Sequence, residues 1–217
     1  MTELYLVRHG ETAWNAARRI QGRADIPLND TGRAQAARAA ELLGRREWSG
    51  VYASPLSRAH ETAAIIADRL GLGEVTDVAA LVERDYGEAE GVGFDELEAL
   101  YPEGVRAPGQ ETREEVAARV VPALLELASR HPGERLLVVS HGGAIRAVLQ
   151  TAEPGVTHPR ITNLSVHSFR VDEGQLRLIA FDDPIEEESL LGDAAELDAQ
   201  NAVEAAEDAG PTPLTGR

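Results

Sequence analysis

Two short apolar runs along the chain each end close to a histidine that glycine follows. Residues 4–7 precede Arg8 and His9, and residues 136–139 precede Ser140 and His141. Four consecutive apolar residues predict a strand buried on both faces, which is typical of parallel sheets. Because ligands bind at the carboxyl ends of the strands in open α/β sheets, we expect the two histidines to share one site.

Local signals mark the ends of several helices. Ser54 and Pro55 are typical of a helix cap and first turn, and Gly71 is typical of the residue after the last turn. Thr112 and Glu115 have the spacing of a capping box. With runs rich in alanine and arginine, these signals predict helices at residues 31–46, 56–70, 112–130 and 143–150, and a short one near 94–100.

Predicted strands alternate with these helices along most of the chain. Alternating polarity on both sides of an Asp-Glu-Gly turn also predicts a β-hairpin near the end of the pattern. The alternation predicts an α/β fold, a three-layer α/β/α sandwich around a mainly parallel sheet. The predicted strands cover residues 3–8, 51–53, 136–140 and part of 72–82, and the hairpin covers 165–171 and 175–181.

One domain is expected over residues 1–184, followed by an acidic tail at residues 185–217. Nine acidic residues and one arginine give the tail a charge of −8, half of the net −16 of the chain. With few large apolar side chains, the tail is predicted to be disordered or weakly helical. Within the domain, residues 87–109 are rich in glycine and proline and predict an insertion made mostly of loops.

Composition excludes several kinds of function. A net charge of −16 argues against binding to nucleic acid or to an anionic membrane. The chain has no cysteine and no lysine, which excludes disulfides, thiolate metal sites, Schiff bases and a Walker-type lysine. We find no basic leader and no 18-residue apolar run, so a cytoplasmic location is expected.

Arginines and histidines are predicted to meet at the carboxyl ends of the strands. Arg8 directly precedes His9, and Arg58 follows the predicted strand at residues 51–53. Helix N-termini after His9 and His141 would add free backbone N–H groups. Since a guanidinium matches a phosphate edge with two hydrogen bonds, the pattern predicts a phosphoryl-binding site.

Other hydrolytic sites are not indicated. The chain has no His-x-His and no His-Glu-x-x-His, so no metal centre is predicted. It also lacks the Gly-x-Ser-x-Gly of serine hydrolases and the P-loop of nucleoside triphosphatases.

A set of motifs occurs in a consistent order along about residues 3–182. The motifs are Leu6-Val7-Arg8-His9-Gly10-Glu11-Thr12, Trp14-Asn15, Gln21-Gly22, Asp25-x-Pro27-Leu28, Gly32 with Gln35-Ala36, Ser54-Pro55-Leu56-x-Arg58-Ala59, Thr62-Ala63, Leu81-x-Glu83, Gly87, Glu90-Gly91 and Ser140-His141-Gly142. This set resembles the histidine phosphatase superfamily, which contains cofactor-dependent phosphoglycerate mutases and many phosphomonoesterases. The resemblance implies a phosphoglycerate mutase-like fold.

The resemblance implies a role for each matched site residue. His9 would be the nucleophile that becomes phosphohistidine, and Glu83 would protonate the leaving oxygen and then activate water. No metal or cofactor is required, because arginines supply the positive charge. Arg8, Arg58 and His141 would stabilise the phosphoryl oxygens, and Asn15, Gln21, Gly22 and Gly142 would complete the phosphate pocket.

The environment of Glu83 can be predicted from its role. A carboxyl that donates a proton near neutral pH needs a raised pKa, whereas nearby arginines lower it. We therefore expect Glu83 to be partly desolvated, or to lie near the leaving oxygen rather than against the guanidinium groups.

Three functions stay open at this point: a phosphatase, a mutase, and a catalytically idle module that binds phospholigands or protein. All matched catalytic positions are filled, which disfavours the third. The resemblance implies a longer, more basic insertion in classical mutases, whereas residues 87–112 are short and acidic, with Arg106 as their one basic residue. We favour a phosphatase for a small phosphorylated metabolite, a phosphosugar or phosphoglycerate derivative, and a homodimer stays open as its assembly.

Two positions depart from the family pattern. Ala89 stands where many members have tryptophan, which predicts a reshaped substrate side of the pocket. The sequence Gln110-Glu111-Thr112 replaces a more usual Gly-Glu-Ser, so no role is predicted for Glu111.

Overall fold

The computed structural model describes residues 1–102 and 105–183. The predicted acidic tail at residues 185–217 lies outside these residues. Six strands form one sheet in the order β3-β2-β4-β1-β5-β6. The strands are β1 (Thr2–Arg8), β2 (Gly50–Ala53), β3 (Thr76–Asp77), β4 (Arg135–Ser140), β5 (Val166–Asp172) and β6 (Gln175–Ala180).

Six α-helices in the described residues connect or flank these strands. The predicted helices are confirmed, and their ends lie within a few residues of the expected positions. The helices are α1 (Ala13–Ala16), α2 (Asp30–Leu43), α3 (Ser57–Leu70), α4 (Phe94–Leu100), α5 (Arg113–Arg130) and α6 (Gly142–Ala152). The capping box of Thr112 and Glu115 opens α5 as predicted, and Gly71 follows α3 with a φ of 66°.

The sheet is mainly parallel. Strands β3, β2, β4 and β1 pair in parallel, and the hairpin of β5 and β6 adds antiparallel strands at one edge. Alternate residues of β1 and β4 point to opposite faces, so each face packs against its own pair of helices. Leu4 and Val138 lie in the core with α5 and α6, whereas Val7 and Leu137 lie in the core with α2 and α3. The predicted three-layer α/β/α sandwich is therefore confirmed.

Two local predictions differ from the structure. The first turn of α3 begins at Ser57 with Leu56 as its N-cap, so the prediction of Ser54 as the cap is wrong. The Ser54 hydroxyl instead lies 2.8 Å from Nε2 of His141, a partner that the local sequence does not reveal. The strand within residues 72–82 is only Thr76–Asp77, and a 3₁₀ turn at Ala79–Leu81 follows it.

In the described part of the chain, no helix has both the length and the apolar composition needed to cross a membrane.

Candidate active site

The parallel pairing of β1 with β4 brings the two histidines together. Arg8 is the register partner of Ser140, so His9 and His141 both follow directly after the paired ends. The His9 N–H donates to the Ser140 carbonyl at 3.0 Å, and the imidazole centroids are 5.2 Å apart. Both side chains are buried. The structure therefore brings together the pair that the hydrophobic pattern placed at one sheet edge.

Hydrogen bonds define which nitrogen of His9 is available. Nδ1 lies 2.7 Å from the Gly10 carbonyl, which can only accept, so Nδ1 carries the hydrogen. Nε2 then holds a lone pair, toward which the Nε–H of Arg58 donates at 3.2 Å. Burial, followed by the charges of Arg58 and Arg8, lowers the pKa of His9 well below its ordinary value. His9 is therefore neutral at pH 7, with Nε2 free to act as a nucleophile.

Arg58 reaches His9 from the first turn of α3 and is held by a neighbouring loop. Its Nη2 donates to the Gly22 carbonyl at 2.7 Å, and its Nη1 donates to the Ala24 carbonyl at 2.8 Å. Burial lowers the pKa of Arg58 to about 10, and the nearby carboxylate of Glu83 partly opposes this shift. Arg58 is therefore a buried cation at neutral pH.

Glu90 holds the loop that supports Arg58. Its Oε1 accepts from the Arg23 N–H at 2.7 Å, and its Oε2 accepts from the Ala24 N–H at 3.0 Å. Gly22 lies against this carboxylate with a φ of 54°, and a Cβ there would stand 2.0 Å from Oε1 of Glu90. Glycine is therefore required at position 22 on both conformational and steric grounds.

Arg8 and His141 are both buried beside the nucleophile. Nη1 of Arg8 donates to the Ile161 carbonyl at 2.9 Å. Nδ1 of His141 has no hydrogen-bond partner within the described residues, although it is buried. Burial and then the charge of Arg58 lower the pKa of His141 well below its ordinary value, so this ring is neutral as well. Gly142 lies beside Arg8, since a Cβ on it would stand 3.7 Å from Nε of Arg8.

Glu83 is completely buried at the N-terminus of α6. Its carboxylate accepts from the backbone N–H groups of Gly143 at 3.2 Å and Ala144 at 3.0 Å, and from that of Arg84 at 2.7 Å. Gly143 permits this approach, because a Cβ there would lie 2.7 Å from Oε1 of Glu83. The expected desolvation of Glu83 is therefore present.

The prediction of free N–H groups after both histidines is not met. At His141, two of the N–H groups at the start of α6 bind Glu83. After His9, the N–H of Gly10 donates to Thr62 and that of Glu11 donates to Gln35, and α1 begins only at Ala13. These four backbone N–H groups are thus bound to protein side chains.

Asn15 lies in α1, and Gln21 lies in the loop between α1 and α2. Oε1 of Gln21 accepts from the Thr12 hydroxyl at 2.8 Å, while its buried Nε2 has no partner in the portion of the chain that is described. Asn15 accepts from the Thr12 N–H at 3.1 Å through its side-chain oxygen, as part of the cap of α1. Buried N–H donors are usually hydrogen-bonded, so Nε2 of Gln21 is a candidate donor to a bound anion.

The predicted site residues thus form one buried centre with two arginines, two neutral imidazoles and one carboxylate. Such a set fits a tetrahedral oxyanion with a leaving group on one side. Among the described residues, no three His, Asp or Glu side chains are grouped so that they could hold a metal ion. No role follows from the sequence for Glu90, Glu111 or Arg119. Glu90 and Arg119 bind backbone groups, which a sequence pattern does not identify.

Comparisons with known proteins agree with this arrangement. The model of the histidine phosphatase superfamily (branch 1) matches residues 4–184. Phosphoglycerate mutase-like protein 4 of Arabidopsis thaliana is 41% identical over 185 residues, which are 79% of this chain and 80% of that protein. A metal-independent phosphoserine phosphatase of Arabidopsis thaliana is 39% identical over 179 residues, or 77% and 75% of the two chains. The structure of mycobacterial glucosyl-3-phosphoglycerate phosphatase with VO3 has a TM-score of 0.77 and 30% identity, covering 83% of this chain and 98% of that one.

Proposed function

The chain belongs to the histidine phosphatase superfamily, and from this premise we propose that it is a phosphomonoesterase that forms a phosphohistidine at His9. Its substrate is a small phosphorylated metabolite, either a phosphosugar or a phosphoglycerate derivative. The observation that carries the proposal is the state of His9. Its Nδ1–H donates to the Gly10 carbonyl, and its Nε2 lone pair faces the guanidinium of Arg58. A buried, neutral imidazole next to a cation is suited to attack a phosphoryl group.

In the first step, Nε2 of His9 attacks phosphorus and the bond from phosphorus to the ester oxygen breaks. Glu83 gives its proton to the departing oxygen, which leaves as an alcohol. The hydrogen bond from Nδ1 to the Gly10 carbonyl stabilises the positive charge that develops on the ring. Glu83 ends this step as a carboxylate, held by the N–H groups of α6.

Charge on the phosphoryl oxygens is stabilised by donors that surround His9. Arg58 turns from Nε2 of His9 to these oxygens as the new bond forms, and Arg8 binds them as well. When Ser54 donates its hydrogen to Nε2 of His141, Nδ1 of His141 carries a hydrogen and serves as a neutral donor. Nε2 of Gln21 is a further donor, and Asn15, Gly22 and Gly142 complete the pocket.

In the second step, water attacks the phosphohistidine. Glu83 takes a proton from the water, the bond between phosphorus and Nε2 breaks, and inorganic phosphate is released. His9 is again neutral and Glu83 is again protonated. The proposal includes no metal, since Arg8 and Arg58 supply the positive charge, and one relative is named a metal-independent phosphatase.

A mutase is the second candidate, because a 41% identical relative is named phosphoglycerate mutase-like. In a mutase, a hydroxyl of a bound substrate would accept the phosphoryl group in place of water. The acidic character of residues 87–112 favours water as the acceptor. Arg106 is the one basic side chain of this segment, so the segment offers little positive charge to bind an additional phosphate group.

A phosphate-release screen over phosphorylated metabolites, with and without bisphosphoglycerate, tests the proposal. We expect phosphate release that does not depend on bisphosphoglycerate and that persists in EDTA. Isomerisation without phosphate release would favour the mutase. Binding without either reaction would favour an idle phospholigand module.

A further inference from the structure

Arg119 of α5 binds the backbone segment that carries Glu83. Its Nη1 donates to the carbonyls of Ala80 and Val82, both at 2.7 Å. Its Nη2 donates to the carbonyl of Glu83 itself at 2.9 Å. Three of the five N–H groups of one guanidinium therefore bind three carbonyls within residues 80–83.

The other two N–H groups of Arg119 bind Glu111. Nε of Arg119 lies 2.8 Å from Oε1 and Nη2 lies 2.9 Å from Oε2, so the pair is bidentate. Oε2 of Glu111 also accepts from the Asp85 N–H at 3.1 Å, and the Glu111 carbonyl accepts from Nε of Arg84 at 2.7 Å. Glu111 thus contacts the chain just after Glu83, and Arg119 contacts it at and before Glu83.

The segment around Glu83 needs these side chains because it lies outside the sheet. Strand β3 ends at Asp77, and the backbone carbonyls that follow it have no neighbouring strand with which to pair. The Ser140 hydroxyl binds the Leu81 carbonyl at 2.9 Å, so the carbonyls of residues 80–83 all have side-chain donors. The backbone of Glu83 is thereby fixed from one side and its carboxylate from the other, by α6.

We propose that Arg119, held by Glu111, is a positioning residue that aligns the Glu83 carboxyl with the leaving-group oxygen and then with the attacking water. This inference rests on the proposed function, and it concerns residues for which no role follows from the sequence. A misplacement of about 1 Å at a catalytic group can cost about 100-fold in rate, so the clamp has a measurable effect.

The charge state of Glu111 supports a clamp that stays intact at neutral pH. Burial by itself would raise the pKa of Glu111, but the hydrogen bonds from Arg119 and from the Asp85 N–H outweigh it, and the pKa lies below its ordinary value.

A positioning role predicts that the loss of kcat/KM in an Arg119 variant depends on the leaving group. An acid that protonates the departing oxygen matters most when this oxygen is strongly basic, and least when the leaving group is a stable anion. Benzyl, phenyl and 4-nitrophenyl phosphate have similar sizes and leaving oxygens of decreasing basicity. Values of kcat/KM for the three esters report formation of the phosphohistidine, in which Glu83 is the acid.

The experiment compares the wild type with Arg119→Lys, Glu111→Gln and Glu83→Gln. Arg119→Lys keeps the charge but removes the planar fork of donors. We expect Arg119→Lys to lose about 100-fold in kcat/KM on benzyl phosphate and only about threefold on 4-nitrophenyl phosphate, the same order as Glu83→Gln. Inhibition by orthovanadate is expected to be unchanged, because the phosphate pocket is intact. Arg130→Lys is the matched control, since Arg130 is exposed on the same helix and pairs with Glu126.

An equal loss on all three esters in a folded Arg119→Lys variant would overturn the proposal, as would a weakened affinity for orthovanadate. Should Arg119→Lys not fold, Glu111→Gln decides by the same criteria. Failure of the proposed function is distinguishable. A wild type that releases no phosphate from any of the esters overturns the proposed function. A Glu83→Gln variant that loses kcat/KM equally on all three esters overturns the role of Glu83 as the acid. A graded loss in Glu83→Gln without one in Arg119→Lys and Glu111→Gln overturns the clamp alone.

Discussion

The Nε–H of Arg58 donates to Nε2 of His9 across 3.2 Å, so a buried cation faces the lone pair of the proposed nucleophile. This contact disfavours protonation of the ring without engaging it covalently. The same guanidinium is anchored to the carbonyls of Gly22 and Ala24, which in turn belong to a loop bound by Glu90. The reactivity of His9 is thus linked to a loop of the chain that does not touch it.

Replacing His9 is expected to abolish turnover and covalent labelling. In His9→Ala, no nitrogen is available to accept the phosphoryl group, whereas His141→Gln keeps the nucleophile and loses one oxyanion donor. We expect His141→Gln to lose about 100-fold or more in kcat and to remain able to form the intermediate. Mass spectrometry of base-quenched enzyme after mixing with substrate measures the phosphohistidine. Labelling that survives in His9→Ala would show that the nucleophile is another residue.

Stability is expected to fall as the pH is lowered below about 6.5, because two buried histidines stay neutral in the folded state. The unfolded chain then binds more protons than the folded chain, so unfolding becomes more favourable as pH falls. Each of the two histidines contributes to this loss, because its pKa in the folded state lies well below the ordinary histidine value.

Urea unfolding at pH 7 and pH 5 measures this effect. His9→Gln removes one of these titrating groups, so its free energy of unfolding should change less between pH 7 and pH 5 than that of the wild type. Parallel profiles for the two proteins would contradict the assignment of a neutral, buried His9.

Gly22→Ala is expected to reduce activity much more than Gly71→Ala. Both glycines have positive φ, 54° and 66°, so both variants carry a backbone cost of about 1 kcal/mol. A Cβ at Gly71 meets no atom within 4 Å, whereas one at Gly22 would stand 2.0 Å from Oε1 of Glu90. Gly22→Ala must therefore move the Glu90 carboxylate, which holds the loop that binds Arg58. We expect at least about a tenfold loss of kcat/KM in Gly22→Ala and unchanged kcat/KM in Gly71→Ala. Equal kinetics in the two variants would show that the loop does not position Arg58.

Chelation is expected to leave phosphatase activity unchanged, because Arg8 and Arg58 supply the positive charge at the phosphoryl group. The measurement is the rate of phosphate release after dialysis against EDTA, with Mg²⁺ added back in a parallel sample. Loss of activity that Mg²⁺ restores would assign the charge stabilisation to a metal ion instead.

Local patterns were sufficient to predict the layers of the fold and the meeting of the two histidines. Four-residue apolar runs indicate buried parallel strands, and the register of Arg8 with Ser140 follows once such strands pair. The capping box of Thr112 and Glu115 likewise depends on residues three positions apart, so the start of α5 can be predicted from the sequence.

The partners of Glu83, Ser54 and Glu111 were decided by the tertiary structure. Glu83 binds N–H groups of α6 that lie 60 and 61 residues further along the chain, and Arg119 binds carbonyls up to 39 residues away. Every residue has a backbone carbonyl, and every residue except proline has a backbone N–H. Residue type therefore does not reveal which backbone groups these side chains bind. The chemistry of the site was therefore determined by side chains that the sequence displays, while their alignment was determined by long-range hydrogen bonds that only the folded chain brings within reach.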